Sequence, residues 1–373
     1  MRFSLPEESP LPRAYDVAAC ARCAFVYADT PGTAADYALH YAQHSRYEDA
    51  AIATGGGDRA EDRARIEELA DWIAARVPAD ASVLDIGCGN GGLLDALQQR
   101  GFAGLAGIDP APGCVARLRS RGFTAWQGTL DRLPAEARGF DLVVLSHVLE
   151  HVLDVHAALR DLRGRLTARG ALYVETPDAT RYTARRFVPF YFFDSEHINH
   201  FDDASLQALG RRAGYETSEY AGAELRVEGG LCYPVARALL RPAAVAAGTP
   251  VFDALAQAVA AYIDESRRRN GDRKLEELVA SGQPLALWGA GSQAQRLLEC
   301  APLMGAKFVA VVDRDRNKQG LSFAGCRVTT PEIGLQGLPA GTVVVIAAAL
   351  AARAIVAECR IMGVRCHVPG DAG

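Results

Sequence analysis

Residues 83–91 read VLDIGCGNG, and the rest of the chain can be organised around this stretch. An apolar run stopped by glycine predicts a buried strand. Gly87, Gly89 and Gly91 then let the chain turn sharply and let a ligand approach its backbone. The helical pattern that follows, GLLDALQQRG over residues 92–101, opens with N–H groups and a positive dipole end suited to a polar ligand. The same rhythm continues outward through AGLAGID, VARLRSRG, FDLVVLS, AALRDLRGRL and ALYVET, up to about residue 175. Short apolar runs alternating with helical patterns predict a parallel sheet wrapped by helices on both faces. Gly101, Gly122 and Gly170 fall where helices should stop, as C-terminal caps.

Upstream, residues 58–76 carry Ile66, Leu69, Trp72 and Ile73 at helical spacing, an amphipathic helix leading into the first strand. Residues 1–57 form a small N-terminal module around Cys20-Ala21-Arg22-Cys23 and end in Gly55-Gly56-Gly57, read as a flexible joint. A second alternating block starts at Pro284 with LALWG, FVAVVD, TVVVIAA and RCHVPG. The predicted organisation is therefore 1–57, a main α/β domain 58–240, a linking helical segment 241–283 and a smaller Rossmann-like domain 284–373. The charged run 264–269 in the link reads as a solvated helix face.

Composition bounds the function. With 373 residues, 49% of them hydrophobic and 23% charged, the chain can fill two or three cores. A formal net charge of −5 argues against a general nucleic-acid binder, which needs a basic surface. Nine scattered cysteines are unlike a secreted disulfide framework, and the expectation is a reducing cytoplasm. Residues 1–13 lack a signal-peptide core, and the most apolar run, from Val343, meets Arg353 before it could span a bilayer. No membrane segment is expected.

Three features sharpen the glycine loop. Asp85 makes the pattern D-x-G-x-G-x-G, and its carboxylate suits a cationic amino-acid tail. Asp109 lies 22 residues after Gly87, at the end of the second apolar strand, where it can accept ribose hydroxyl protons. FDLVVLS (140–146) runs into His147-Val148-Leu149-Glu150-His151. Together they resemble motifs I and IV of class I S-adenosylmethionine-dependent methyltransferases, over residues 82–175. That resemblance implies a doubly wound, mostly parallel seven-stranded sheet and S-adenosylmethionine as cofactor. It implies cofactor contacts at Asp85, Gly87, Cys88, Gly89, Gly91, Asp109, Pro110, Ser146 and His147. Where the family carries an acidic residue near adenine, Gly128-Thr129-Leu130 stands, so Thr129 and Leu130 take that place. His147 and His151 have the i, i+4 spacing of metal ligands, but no third ligand is near in sequence and the resemblance makes them structural or cofactor-pocket residues.

Beyond Glu175-Thr176-Pro177-Asp178 comes an aromatic insertion, Phe187 to Phe193, and then Asp194-Ser195-Glu196-His197-Ile198-Asn199-His200-Phe201. Aromatics beside charges suggest a pocket wall, with Tyr191, Phe193 and His200 against a substrate, or equally a packed flap. The segment resembles the E-H-x-x-x-F stretch of sugar C-methyltransferases, which act on nucleotide-linked keto-sugars and combine an N-terminal zinc module with a C-terminal Rossmann-like domain. The resemblance makes Glu196 and His197 an acid-base pair, while the family's tyrosine falls on Asp194. His197 is the natural base, because imidazole is the side chain that exchanges a proton near neutral pH. It would remove a proton beside a ketone for carbon methylation, or a hydroxyl proton for oxygen methylation.

The zinc module of that family has two C-x-x-C pairs, and only Cys20 and Cys23 occur here. Either His40 or His44 completes a zinc set, or the fold persists without metal. The stretch Tyr37 to Tyr47 either helps close the pocket or is surface helix. In the C-terminal block Gly289-Ala290-Gly291-Ser292-Gln293-Ala294 is a G-x-G-x-x-A turn, with Asp313 19 residues beyond Ala294. This spacing is compatible with a dinucleotide. The resemblance instead implies that Gly289, Gly291, Ser292 and Asp313 help hold a nucleotide sugar, and a merely structural domain also stands. The leading expectation is a methyltransferase acting on a nucleotide-activated sugar. The alternatives are an O- or N-methyltransferase of another small metabolite, and a silent cofactor-binding module regulating a glycan pathway. The oligomeric state stays open.

Overall fold

The computed structural model describes residues 1–43, 60–184, 188–227, 231–245, 250–300 and 302–370. His44, Tyr47, the Gly55-Gly56-Gly57 run and Phe187 lie outside the described residues. An antiparallel hairpin, β1 (Asp16–Ala19) and β2 (Val26–Asp29), opens the fold, followed by helix α1 (Ala34–Gln43).

Helix α2 (Ala60–Ala74) leads into the main domain. Its parallel part runs β3 (Val83–Ile86), α3 (Gly92–Gln99), β4 (Leu105–Asp109), α4 (Pro112–Ser120), β5 (Thr124–Gln127), β6 (Phe140–Ser146), α5 (Val155–Arg163) and β7 (Leu166–Pro177). After the two-residue β8 (Asn199–His200) and α6 (Asp203–Ala213), the long pair β9 (Tyr215–Val227) and β10 (Leu231–Pro242) completes it. The sheet order is β5-β4-β3-β6-β7-β10-β9, parallel as far as β7, with β10 antiparallel to both neighbours. The parallel part is the helix-wrapped sheet that the alternation predicts, and the seven strands are those the methyltransferase resemblance implies.

Alternate strand residues face opposite sides. Val83, Leu105, Leu142 and Val144 join a core with Ile66, Leu69 and Ile73 of α2 and Leu94 and Leu97 of α3. Leu84, Ile108, Val143 and Leu145 join a second core with Leu159 and Leu162 of α5 and Leu206 of α6. Both faces being buried explains why these strands read as continuous apolar runs.

Gly101 and Gly122 stop their helices in the left-handed conformation, with φ of 90° and 88°. Gly170 does not. Helix α5 ends at Gly164, and Gly170 lies inside β7 where the pairing register with β6 shifts. A Cβ there would come 2.9 Å from the Phe140 carbonyl oxygen, so this glycine serves close approach in the sheet.

The C-terminal part begins with α7 (Asp253–Arg269) and α8 (Arg273–Ala280). It continues through β11 (Leu285–Trp288), α9 (Ser292–Leu297), β12 (Phe308–Val312), β13 (Ser322–Phe323), β14 (Cys326–Thr329), α10 (Pro331–Gly334), β15 (Val343–Ile346), α11 (Ala352–Ile361) and β16 (Arg365–His367). Its sheet, β13-β14-β12-β11-β15-β16, is parallel except for β13. This is the smaller Rossmann-like unit.

The N-terminal hairpin is tied by backbone to the main domain and to the residue preceding α7. Strand β8 adds to β2, Val26 opposite His200, and the Phe252 N–H donates to the Cys23 carbonyl at 2.7 Å. Among the described residues no helix is long and apolar enough to cross a membrane.

Candidate active site

The loop after β3 carries Gly87, Gly89 and Gly91 at φ of 74°, 51° and 78°, a left-handed run that glycine adopts without strain. Asp109, at the end of β4, holds this loop: one carboxylate oxygen accepts the Gly89 N–H at 2.8 Å and the other the Ala111 N–H at 2.9 Å. A carboxylate oxygen has a second lone pair, so Asp109 still has acceptor capacity toward a diol. Asp85 is buried, and burial, reinforced by the charge of Asp109, pushes its pKa up to about 7. The Asn90 side-chain amide nitrogen is buried without a partner.

These groups fit an adenosyl cofactor: a concave glycine backbone, an acidic group suited to a cationic tail and an unclaimed buried donor. Pro110 and Thr129 are half-buried, whereas Leu130 is in the core. The Cys88 side chain also packs into the core, leaving only its backbone to face a ligand.

At the end of β6, His147 is a non-glycine residue at φ 56°. It is held between two carboxylates, with Nδ1 3.1 Å from Glu150 and Nε2 3.4 Å from Glu175. Burial works to lower the imidazole pKa, but the two carboxylates outweigh it and raise it to about 9. Glu175 also accepts from the Ser146 and Tyr173 hydroxyls, both at 3.0 Å, and from Arg237, which reaches Glu68 as well. Burial pushes the Glu175 carboxyl up, yet His147 and Arg237 hold it well below the usual range. Glu150, Glu175 and Arg237 are the residues that motif reading missed. The signal was present in Arg237, a lone charge inside the apolar run of β10 that requires a buried partner.

The acceptor segment is assembled from distant parts. One Asp194 carboxylate oxygen accepts the N–H groups of Glu196 at 2.9 Å and His197 at 2.8 Å, a local turn that sets the loop. His197 Nε2 lies 3.8 Å from the other Asp194 oxygen, and its ring meets His151 edge-on, with centroids 4.9 Å apart. His151 Nδ1 is within 3.0 Å of both the Tyr41 hydroxyl and the Glu196 carbonyl oxygen, and His40 is 3.4 Å from the Glu196 carboxylate. From the N-terminal part Tyr15 donates to the Asp194 carbonyl at 2.9 Å and Tyr37 to that of Ser195 at 3.4 Å. From the C-terminal part Arg296 donates to the Phe193 carbonyl at 2.8 Å.

Several expectations are corrected by this arrangement. Phe193 and His200 are not on a pocket wall. The Phe193 ring is fully buried with Phe192, Tyr182 and Tyr262, and His200 is 1% exposed, 3.3 Å from the Tyr182 hydroxyl. Burial and then the nearby His197 push the His200 pKa down to about 3, which keeps the ring neutral in the core. Tyr191 stays half-buried beside Tyr233. His147 and His151, whose spacing alone was that of metal ligands, have different partners, Glu150 and Glu175 for the first and Tyr41 and Glu196 for the second. Among the described residues the His, Cys, Asp and Glu side chains that gather are Glu150, His151 and His197.

The Cys20 and Cys23 thiols lie together in a turn with Ala24 at φ 59°. His40 is at Glu196 instead of completing their set. Among the described residues the two sulfurs gather no further ligand, short of the four that a zinc site takes; His44 lies outside the described residues.

The second glycine turn repeats the device of the first. Gly289 has φ 108°, and a Cβ there would lie 2.8 Å from the Ala347 carbonyl oxygen. Asp313, just beyond β12, accepts the Ala290 N–H at 2.8 Å. Lys318 lies 3.2 Å from the same carboxylate, Gly291 is half-buried and Ser292 is exposed.

Residues 60–220 match the family described as a methyltransferase domain. The ubiquinone biosynthesis O-methyltransferase of Azorhizobium caulinodans is 32% identical over 154 residues, 38% of this chain and 60% of that protein. That of Xanthomonas axonopodis pv. citri is 37% identical over 175 residues, 41% of this chain and 70% of that protein. The chain thus spans from about half to 70% of the length of the curated relatives it matches. Among solved structures, magnesium protoporphyrin IX methyltransferase from Synechocystis is similar over 49% of this chain and 85% of that one, with 15% identity and a TM-score of 0.38.

Proposed function

Since this chain belongs to the S-adenosylmethionine-dependent methyltransferase family, we propose that it methylates an oxygen or carbon of a nucleotide-linked sugar, with His197 taking the acceptor's proton. The cofactor would be held by the Gly87, Gly89 and Gly91 backbone, Asp85, Asn90 and Asp109. Bound there, it supplies an electrophilic methyl group on a sulfonium, which leaves as a neutral thioether. The residues of the chain supply the rest. His197 accepts the proton of a hydroxyl, or of a carbon beside a ketone, and the electron pair so freed forms the new bond to the methyl group. Asp194 sets the loop that presents His197, and His40 orients Glu196.

One observation carries this reading: the loop bearing Glu196 and His197 is folded against His151, immediately beyond the strand end at His147 that adjoins the glycine cradle. The turn at Gly289 and Asp313 supports a nucleotide-holding role for the C-terminal unit. A second reading, methylation of a phenolic oxygen, is favoured by the names of the curated relatives.

Mass spectrometry of products from labelled S-adenosylmethionine, offered a panel of nucleotide sugars and a panel of dihydroxyphenols, separates the two. A labelled nucleotide sugar supports the first reading, and label confined to the phenols overturns it. His197→Ala should lower kcat by about 100-fold or more while leaving cofactor affinity intact; unchanged turnover would remove His197 as the base.

A further inference from the structure

We propose that Glu150, His151 and His197 form a binding site for one divalent first-row transition ion, and that its occupation silences methyl transfer. The silencing rests on His197 being the base; the binding does not. One ligand atom from each residue lies within 4.8 Å of the other two. Glu150 is 1% exposed, and its Oε2 is buried without a partner while Oε1 lies against His147. A buried carboxylate oxygen left unpaired is costly and commonly marks a missing ligand.

Each imidazole also has a nitrogen to offer. His151 Nδ1 is committed to the Tyr41 hydroxyl and the Glu196 carbonyl oxygen, which leaves Nε2 as the nitrogen for an ion. Outer contacts of this kind orient metal-bound histidines. His197 Nδ1 is buried without a partner. Two neutral imidazoles and one carboxylate suit Zn²⁺, Co²⁺ or Fe²⁺ better than the oxygen-seeking Mg²⁺ and Ca²⁺.

In a tetrahedral site with bonds of about 2.0–2.1 Å, ligand atoms are roughly 3.3 Å apart. The three ligand atoms lie within 4.8 Å of one another, so side-chain rotation is enough to close them to that spacing around an ion. Three protein ligands leave a fourth position for water or an acceptor oxygen. The imidazole lone pair that holds a metal cannot also take a proton, so an occupied site and an active base exclude each other.

The test is titration of the full chain with Co²⁺, followed by its visible absorption bands. One equivalent should bind to the wild-type protein and equally to Cys20→Ser/Cys23→Ser, which removes the thiol pair. Affinity should fall at least about tenfold in both His151→Gln and Glu150→Gln, with S-adenosylhomocysteine calorimetry confirming that each variant is folded. Binding that survives both substitutions, or that is lost with the thiols, overturns the site. Zn²⁺ should stop turnover and a chelator should restore it. If the ion binds and turnover is unchanged, the silencing falls, and with it His197 as base, while the site stands.

Discussion

The Tyr15 hydroxyl donates to the Asp194 carbonyl at 2.9 Å across a sequence separation of 179 residues. The N-terminal part therefore reaches the backbone of the loop that carries Glu196 and His197. Tyr15 is 4% exposed, and Tyr15→Phe leaves a carbonyl without that donor, which should cost about 1–3 kcal/mol in a urea unfolding measurement. The loop then loses definition where alignment matters. Turnover should fall, by up to about 100-fold for a displacement near 1 Å, while calorimetry gives an unchanged cofactor affinity. A weakened cofactor with normal turnover at saturation would show that Tyr15 does not act through the loop.

The glycine-loop half of the candidate site was legible because its pattern is local. A strand, three glycines, and an acidic residue at the next strand end recur at fixed spacing, so Asp85, Gly87 and Asp109 could be placed before any contact was known. The acceptor half depends on long-range partners. Tyr15, Tyr37 and His40 reach residues 194–196 from an N-terminal part whose only motif is a pair of cysteines, and Arg296 reaches the adjoining Phe193 carbonyl from the C-terminal unit. Phe193 and His200 look like pocket residues in sequence because aromatic and histidine side chains serve cores and sites alike. Strands β9 and β10 escaped the alternation reading. Pro234 and Arg237 interrupt the apolar pattern of β10, and Arg237 is tolerated inside only because Glu175 and Glu68 meet it.

Asp85 should give the protein a pH signature. Its folded pKa of about 7 stands above the ordinary 3.8, so the folded state holds the proton more tightly than the unfolded state. The resulting stability penalty is absent below pH 3.8, grows with rising pH and is complete above about 7. A cationic cofactor favours the ionised carboxylate, so its affinity should strengthen as pH rises from 6 to 8. Asp85→Asn should abolish that dependence and make the apoprotein more heat-stable than wild type at pH 8. Calorimetric Kd values and thermal melts across pH check both; a slope that persists in the variant would assign the proton elsewhere.

Two glycines separate backbone strain from crowding. Gly122 has φ 88° with nothing within 4 Å of a built Cβ, whereas Gly87 has φ 74° and its Cβ would lie 2.8 Å from the Val148 side chain. Gly122→Ala should cost about 1–2 kcal/mol of stability through the left-handed backbone alone and leave cofactor binding intact. Gly87→Ala carries the same strain, must push Val148, and reshapes the cradle, so it should weaken S-adenosylmethionine binding sharply. Calorimetry on the two variants makes the comparison, and equal affinities would mean that the Gly87 backbone is not part of the cradle.

His147 is the cation between two buried carboxylates, Glu150 and Glu175, each 1% exposed. Removing it leaves Glu175 with Arg237 but deprives Glu150 of its cationic partner. His147→Gln should therefore destabilise the fold by about 3–5 kcal/mol, the usual cost of breaking a buried ion pair from one side. His147→Gln/Glu150→Gln removes the stranded charge as well and should recover part of the loss, with a coupling of about 0.5–3 kcal/mol between the two positions. The left-handed backbone at residue 147, φ 56°, adds a strain that the buried pairs offset. Substituting His147 by glycine removes the pairs and the strain together, so His147→Gly should be less destabilising than His147→Ala. Urea unfolding of the set decides it. Additive losses in the double variant would show that His147 and Glu150 do not act as a pair.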